Sequence, residues 1–351
     1  MRFSPGFHAR DAIAAVAFNA MIRCLKCIGH DGASLIGFAE TVLDIHLRPR
    51  ITLPETMADS SPTPRKRVTP NSLRARKASS SPITLVTAYD YPFACYAEEA
   101  GIDIVFVSDA FASVGMGCDN SFAVTVDEVI YHTRAVRRGV RTSLLLASMP
   151  FLSYTSPAEA ISNAGRLLRE GGADAVEIEA TAEMAPIVRA VTQAGIAVMG
   201  HVGLTKIIAS RSGSYRAQAQ DPESAASIIE DAVRLVDAGA FALVLECIPD
   251  RIAAAITELV TVPTIGIGAG GWCDGQGLVT QDMLGLFDKF LPSFVQRFAA
   301  LGDAARDGFA AFRRQVEQAD FPSSRHTLSI SDETLKRVVA RMSGADEGAS
   351  L

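Results

Sequence analysis

Between residues 83 and 288, short apolar and β-branched runs alternate with longer stretches of helical periodicity. The runs Ile83–Thr87, Ile104–Val107, Thr142–Ala147, Ala175–Ile178, Ala197–Gly200, Ala242–Leu245 and Thr264–Ile267 predict strands. Helices are predicted between them near 91–100, 125–138, 157–171, 182–194, 222–238 and 249–259. Ser156-Pro157 and Asp221-Pro222 supply helix starts, and Gly171-Gly172 supplies a stop. Regular β-α alternation implies parallel strands, and so many repeats in one run suit a closed barrel better than two sheets. A further strand, within 277–288, would complete it. The predicted class is α/β, a (β/α)8 TIM barrel over 83–326, followed by a C-terminal helix and polar tail over 327–351.

The chain ahead of the barrel has a different texture. Residues 57–82 are Ser/Pro-rich and basic, with Arg65-Lys66-Arg67, Arg74, Arg76 and Lys77, and read as a solvated arm. No aromatics interleave with the charges, so the run is a tail rather than a nucleic-acid patch. Residues 1–56 are an extension with two readings: translation starts at Met57, or the segment is a targeting presequence, against which Asp11, Asp31, Glu40 and Asp44 speak. Its longest apolar run, Ala12–Ile22, is too short to span a membrane.

Composition narrows the function classes. Hydrophobic residues make up 48% and charged residues 21%, which supports a sizeable core, and a net charge of −6 disfavours a nucleic-acid partner. Cys24 and Cys27 form a lone CxxC, weak as a zinc motif, while Cys95, Cys118, Cys247 and Cys273 lie in apolar runs and read as reduced, buried thiols. The expectation is a cytoplasmic enzyme without membrane or nucleic-acid partners, or a mitochondrial one if the extension is a presequence.

In such barrels reactive groups gather at the carboxyl ends of the strands. Reading just past each predicted strand gives Asp109, Ser148, Glu177, Glu179, His201, Glu246 and the run Gly266-Ile267-Gly268-Ala269-Gly270. Each polar residue closes an apolar run, where burial without a partner is costly. Asp109 as a local cap and His201 as a satisfied core histidine are the bland alternatives, and the glycines suit either phosphate binding or close backbone approach. Strand parity puts Glu177 and Glu179 on the face opposite Val176 and Ile178, so both carboxylates should enter the barrel mouth. Carboxylates crowded there call for a divalent cation such as Mg2+, or for protonation of one of them.

Longer motifs carry a family resemblance. Thr87-Ala88-Tyr89-Asp90-Tyr91, Thr125-Val126 through Tyr131-His132-Thr133, Gly200-His201-Val202-Gly203-Leu204-Thr205, Leu243-Val244-Leu245-Glu246-Cys247-Ile248-Pro249 and Asp274-Gly275-Gln276 resemble those of ketopantoate hydroxymethyltransferases, from about Val68 to His326. The resemblance implies a barrel of the phosphoenolpyruvate/pyruvate-binding type. It implies transfer of a hydroxymethyl group from 5,10-methylenetetrahydrofolate to α-ketoisovalerate through a Mg2+-stabilised enolate, giving ketopantoate for pantothenate biosynthesis. It further implies Asp109 and Glu179 at the metal, Glu246 as the base, His201 lining the pocket, and a large homo-oligomer. The phosphoenolpyruvate mutase and isocitrate lyase group shares the barrel type without these motifs.

Three positions depart from the family pattern. Ser148 stands where the family has its second metal-binding aspartate, Glu177 where it has a lysine for the substrate carboxylate, and Ala110 where it has a substrate-binding serine. Exchanging attraction for repulsion beside a keto acid is worth several kcal/mol, about 4 for one charge pair at roughly 4 Å and an effective dielectric near 20. Three readings follow: the family reaction with altered metal coordination, an aldol-type enzyme acting on another carbonyl substrate whose cationic group pairs with Glu177, or a degraded barrel kept for assembly or regulation.

Overall fold

The computed structural model describes residues 65–213 and 216–343. The expected extension 1–56, its Cys24–Cys27 pair, and the tail beyond 343 lie outside the described residues. The described chain forms two compact units, one running through Met283 and including Phe287–Gln296, the other comprising Leu284–Leu286 and the chain from Arg297 on.

Eight parallel strands close the barrel in sequence order: β1 (Ile83–Thr87), β2 (Ile104–Val107), β3 (Leu144–Ser148), β4 (Ala175–Glu179), β5 (Val198–Gly203), β6 (Ala242–Glu246), β7 (Thr264–Ile267) and β8 (Gly275–Leu278). β1, β2 and β7 keep their predicted bounds. β5 runs on past Gly200 because its last residues pair with β6, Gly203 lying opposite Glu246. β8 lies slightly ahead of its expected window, since its glycines hid the strand pattern. Ile83, Leu85, Ile104, Phe106, Leu144, Leu146, Met199, Val244 and Ile265 fill the lower interior. Alternate residues, among them Leu145, Val176, Ile178, Leu243 and Leu245, pack outward in a second layer with the helices.

Around the strands run α1 (Pro70–Ala78), α2 (Tyr91–Glu99), α3 (Phe111–Val114), α4 (Val126–Gly139), α5 (Pro157–Arg166, prolonged by a π-turn to Gly171), α6 (Ala185–Gln193), α7 (Lys206–Ser212), α8 (Pro222–Asp237), α9 (Asp250–Leu259) and α10 (Thr280–Met283). Ser156 and Asp221 cap α5 and α8 as their sequence implied, and Gly172 stops α5 in the left-handed conformation. The short helices α3, α7 and α10 were not predicted. No described helix is long and apolar enough to cross a membrane.

The solvated arm expected over 57–82 is corrected from Arg65 on. Thr69 caps α1 in a capping box, and Leu73 is fully buried. The basic residues are matched by acids at the amino ends of the strands. Arg65 and Arg76 meet Asp103 at 3.0 and 2.5 Å, Arg67 meets Asp174 at 2.5 Å, and Lys77 meets Asp274 at 2.8 Å. Those acids also accept strand N–H bonds, Asp103 from Thr84, Asp174 from Leu145 and Asp274 from Thr264. The expectation of buried thiols is corrected too: Cys118 is exposed, and Cys95, Cys247 and Cys273 are half-buried.

The second unit carries α11 (Leu301–Glu317) and α12 (Asp332–Met342). Within it Phe321 meets the ring of Phe312 edge-on and that of His326 at a tilt.

Gly203 ends β5 at φ +101°, and a Cβ there would overlap the Glu246 carbonyl oxygen. Gly203→Ala therefore combines a forbidden backbone angle with a clash. It should cost at least about 2 kcal/mol, read by urea unfolding.

Candidate active site at the barrel mouth

The inward positions of β3, β4, β5 and β6 end in Ser148, Glu177, Glu179, His201 and Glu246, as parity requires. Register puts Ser148 beside Glu177 and Glu179 beside His201. The Ser148 hydroxyl donates to Glu177 Oε2 at 2.7 Å, and His201 Nδ1 meets Glu177 Oε1 at 2.8 Å. His201 Nε2 lies 3.1 Å from Glu246 Oε2, so the imidazole stands between two carboxylates. Glu246 alone of these groups reaches solvent, its side chain 28% exposed. Just past it Cys247 takes the left-handed conformation at φ 51°.

Asp109 lies in the turn after β2, buried, and Ala110 follows as the residue before α3. Ala110 brings no polar group to the mouth. Gly268 makes room for the Phe294 ring, so in that glycine-rich run close approach accounts for the residue choice.

Lys206, absent from the sequence-based site, joins these groups. Thr205 caps α7 by accepting from Ile208 N–H, which makes Lys206 the first helical residue. Its N–H donates to Glu179 Oε2 at 2.6 Å. Its buried ammonium contacts Glu179 Oε1 and lies 3.0 and 3.1 Å from the two oxygens of Asp109. Tyr154 supports the same strand end by donating its hydroxyl to the Glu179 carbonyl at 3.0 Å. The sequence offered one hint, a lysine directly after the helix-capping threonine of a rim loop. Exposed surface is the default expectation for such a residue.

For Asp109, Glu177, Glu179, His201 and Lys206 burial is the largest single influence on titration, and partners decide the outcome. Burial works to deprotonate Lys206, but Asp109, Glu179 and Glu177 outweigh it and hold the ammonium well above the usual lysine range. Burial likewise opposes the charged imidazole, yet Glu177 and Glu246 lift His201 to about 10. Burial raises Asp109, and raises Glu179 to about 7, against the pull of Lys206. Glu177 moves the other way, because the His201 hydrogen bond and charge overcome its burial. The mouth thus holds Lys206 and an imidazolium among Asp109, Glu177, Glu179 and Glu246.

Glu177, Glu179 and His201 bring ligand atoms within 4.8 Å of one another, a grouping that could hold a metal ion. As arranged, these residues do not fit one. Both ring nitrogens of His201 lie against carboxylates, and both Glu177 oxygens already have partners. Asp109 and Glu179 are bridged by the Lys206 ammonium. Two surface cavities, of about 400 Å³ between α6 and α8 and about 240 Å³ against Tyr154 and Ile207, are lined by none of these rim groups.

Fold and mouth together define a (β/α)8 barrel with an acid-rich carboxyl-end site. Solved phosphonopyruvate hydrolase structures share the fold. One, titled as a complex with oxalate and Mg++, has a TM-score of 0.50 and 16% identity over 80% of this chain and 99% of that one. A second has a TM-score of 0.51 and 14% identity with the same coverage. Sequence comparison is more specific. Residues 67–324 match the family model for ketopantoate hydroxymethyltransferase. The 3-methyl-2-oxobutanoate hydroxymethyltransferase of Moorella thermoacetica is 48% identical over 265 residues, 75% of this chain and 98% of that protein. That of Carboxydothermus hydrogenoformans is 44% identical over 273 residues, 78% and 99% of the two chains. The chain belongs to the ketopantoate hydroxymethyltransferase family.

Two predictions follow from the charges. Lys206→Met leaves two buried carboxylates unpaired and should destabilise the fold by about 3–5 kcal/mol. The loss should be larger at pH 8 than at pH 5, where the carboxylates take up protons, as urea unfolding at both values would register. His201 is raised from 6.5 to about 10 on folding, so its contribution is complete below pH 6.5 and fades as pH rises through 10. The stability difference between the wild type and a His201→Gln variant should therefore shrink over that window, measured by denaturant titration at stepped pH.

Proposed function

We propose that this barrel transfers a hydroxymethyl group from 5,10-methylenetetrahydrofolate to C3 of α-ketoisovalerate, giving ketopantoate and tetrahydrofolate with uptake of one water. The observation that carries it is Glu246: a carboxylate at the end of β6, open to solvent on one side and held by His201 on the other. Glu246 removes the C3 proton of the keto acid, and the enolate carbon attacks the one-carbon unit. His201 keeps the carboxylate aimed at the mouth and supplies positive charge beside the developing enolate, while Glu177 and Ser148 fix the imidazole from behind. Charge on the substrate is met by Lys206 rather than by the lysine that Glu177 replaces. Mg2+ takes no part in this reading, because the lysine bridge leaves Asp109 and Glu179 no open place for it.

The reading in which Glu177 pairs with a cationic substrate group is disfavoured by geometry. Glu177 is buried and both its oxygens are engaged. Cytoplasmic residence, expected from the scattered cysteines, and assembly into a homo-oligomer, implied by the resemblance, belong to the same proposal. Light scattering of the purified chain would check the assembly.

Purified protein given methylenetetrahydrofolate and α-ketoisovalerate should release ketopantoate. Glu246→Gln should lower kcat by about 10²- to 10⁴-fold, the range for loss of a general base. A folded wild type with no turnover, or a Glu246→Gln variant as fast as wild type, would count against the proposal.

A further inference from the structure

We propose that the Lys206 ammonium is a built-in replacement for the divalent cation at Asp109 and Glu179, so that the site works without metal. The role given to the enolate rests on the reaction proposed above; the occupancy argument does not.

The two carboxylates reached by Lys206 are those the family resemblance assigns to the metal. One ammonium contacts both, at 3.0 Å from Asp109 Oδ2 and closer still to Glu179 Oε1. A hard cation bonded to both oxygens at roughly 2.0–2.1 Å would have to displace this nitrogen. The lysine is anchored at its backbone and enclosed along its side chain. Its N–H is fixed to Glu179 Oε2 at 2.6 Å, Thr205 caps the helix it begins, and its side chain is only 9% exposed.

The rest of the mouth agrees with this substitution. Ser148 offers a hydroxyl where a second metal-binding aspartate would stand, and spends it on Glu177. The carboxylate charge that a metal would balance is met instead by Lys206, in ion-pair contact with both Asp109 and Glu179. An ammonium carries three N–H donors. Asp109 and Glu179 take two of those directions, leaving the third for an oxygen that becomes anionic, the electrostatic service a Lewis acid supplies to an enolate. Unlike a metal, this charge cannot be removed by a chelator.

The test is Mn2+ binding to the full chain, followed by the loss of free Mn2+ signal in electron paramagnetic resonance and by thermal melting. Wild type should take up no Mn2+ at millimolar concentration, and neither Mn2+ nor EDTA should move its melting temperature. Lys206→Met, with Lys206→Gln as a second variant, should bind about one ion per chain and regain melting temperature when Mn2+ is added. Its affinity should exceed wild type by roughly tenfold or more, the scale set by removing one like charge about 4 Å away. Stoichiometric uptake by wild type, or a folded variant that takes up none, overturns the proposal. If neither variant folds, the wild-type titration decides alone. Turnover enters none of these readouts, so failure of the proposed reaction and failure of this inference are told apart.

Discussion

A closed parallel barrel brings the carboxyl ends of all eight strands to one mouth, and in this chain that mouth carries Asp109, Glu177, Glu179 and Glu246. Like charges in so poorly hydrated a space stay ionised only when cations stand among them. Lys206 and the His201 imidazolium are those cations, Lys206 set against Asp109 and Glu179 and His201 held most closely by Glu177 and Glu246. The geometry of the site follows from that requirement. Glu179 receives both the ammonium and the first N–H of α7, so the helix start and the strand end are locked together by the same carboxylate. Glu177 is locked to its two neighbouring strands, to β3 through Ser148 and to β5 through His201.

The opposite pole obeys the same rule with a different solution. Asp103, Asp174 and Asp274 each precede a strand and accept backbone N–H bonds from a neighbouring one. Their charge is met from outside the barrel, by Arg65, Arg67, Arg76 and Lys77 around α1 and by Arg137 of α4. These pairs are partly exposed and individually weak, with side chains such as Arg67 more than half in solvent. Together with the buried Leu73 they explain why a stretch that reads as a solvated tail is ordered. A basic run without aromatics has no internal reason to fold; the reason lies in acids scattered over more than a hundred residues of later sequence.

What was legible in the chain was whatever depends on local period. Strand positions follow from apolar runs, and the inward aim of Glu177 and Glu179 follows from alternation with Val176 and Ile178, which the outer layer confirms. The pairing of Ser148 with Glu177 was open in principle, since both end neighbouring strands, but it needs the register between them. Lys206 was not legible. A lysine beginning a short helix looks like surface, and only closure of the barrel carries it to Asp109, nearly a hundred residues earlier. The short helices α3, α7 and α10 were missed for a related reason. Four to seven residues hold too little periodicity to register, although two of these helices flank the mouth.

The departures from the family pattern form a single electrostatic exchange once Lys206 is counted. Replacing a lysine by Glu177 removes two units of positive charge from the end of β4. Replacing an aspartate by Ser148 returns one unit, and Lys206, to which the resemblance assigns no role, returns the other. Among side chains alone the balance is even, with the positive charge moved from a strand to the start of α7, while the single charge of the ammonium stands where the family pattern has a divalent cation. In the proposed reaction the keto acid still meets a cation beside the base Glu246. It meets that cation from the β5–α7 side of the mouth, so orientation of the substrate, rather than the capacity to hold an anion, is what the exchange changes.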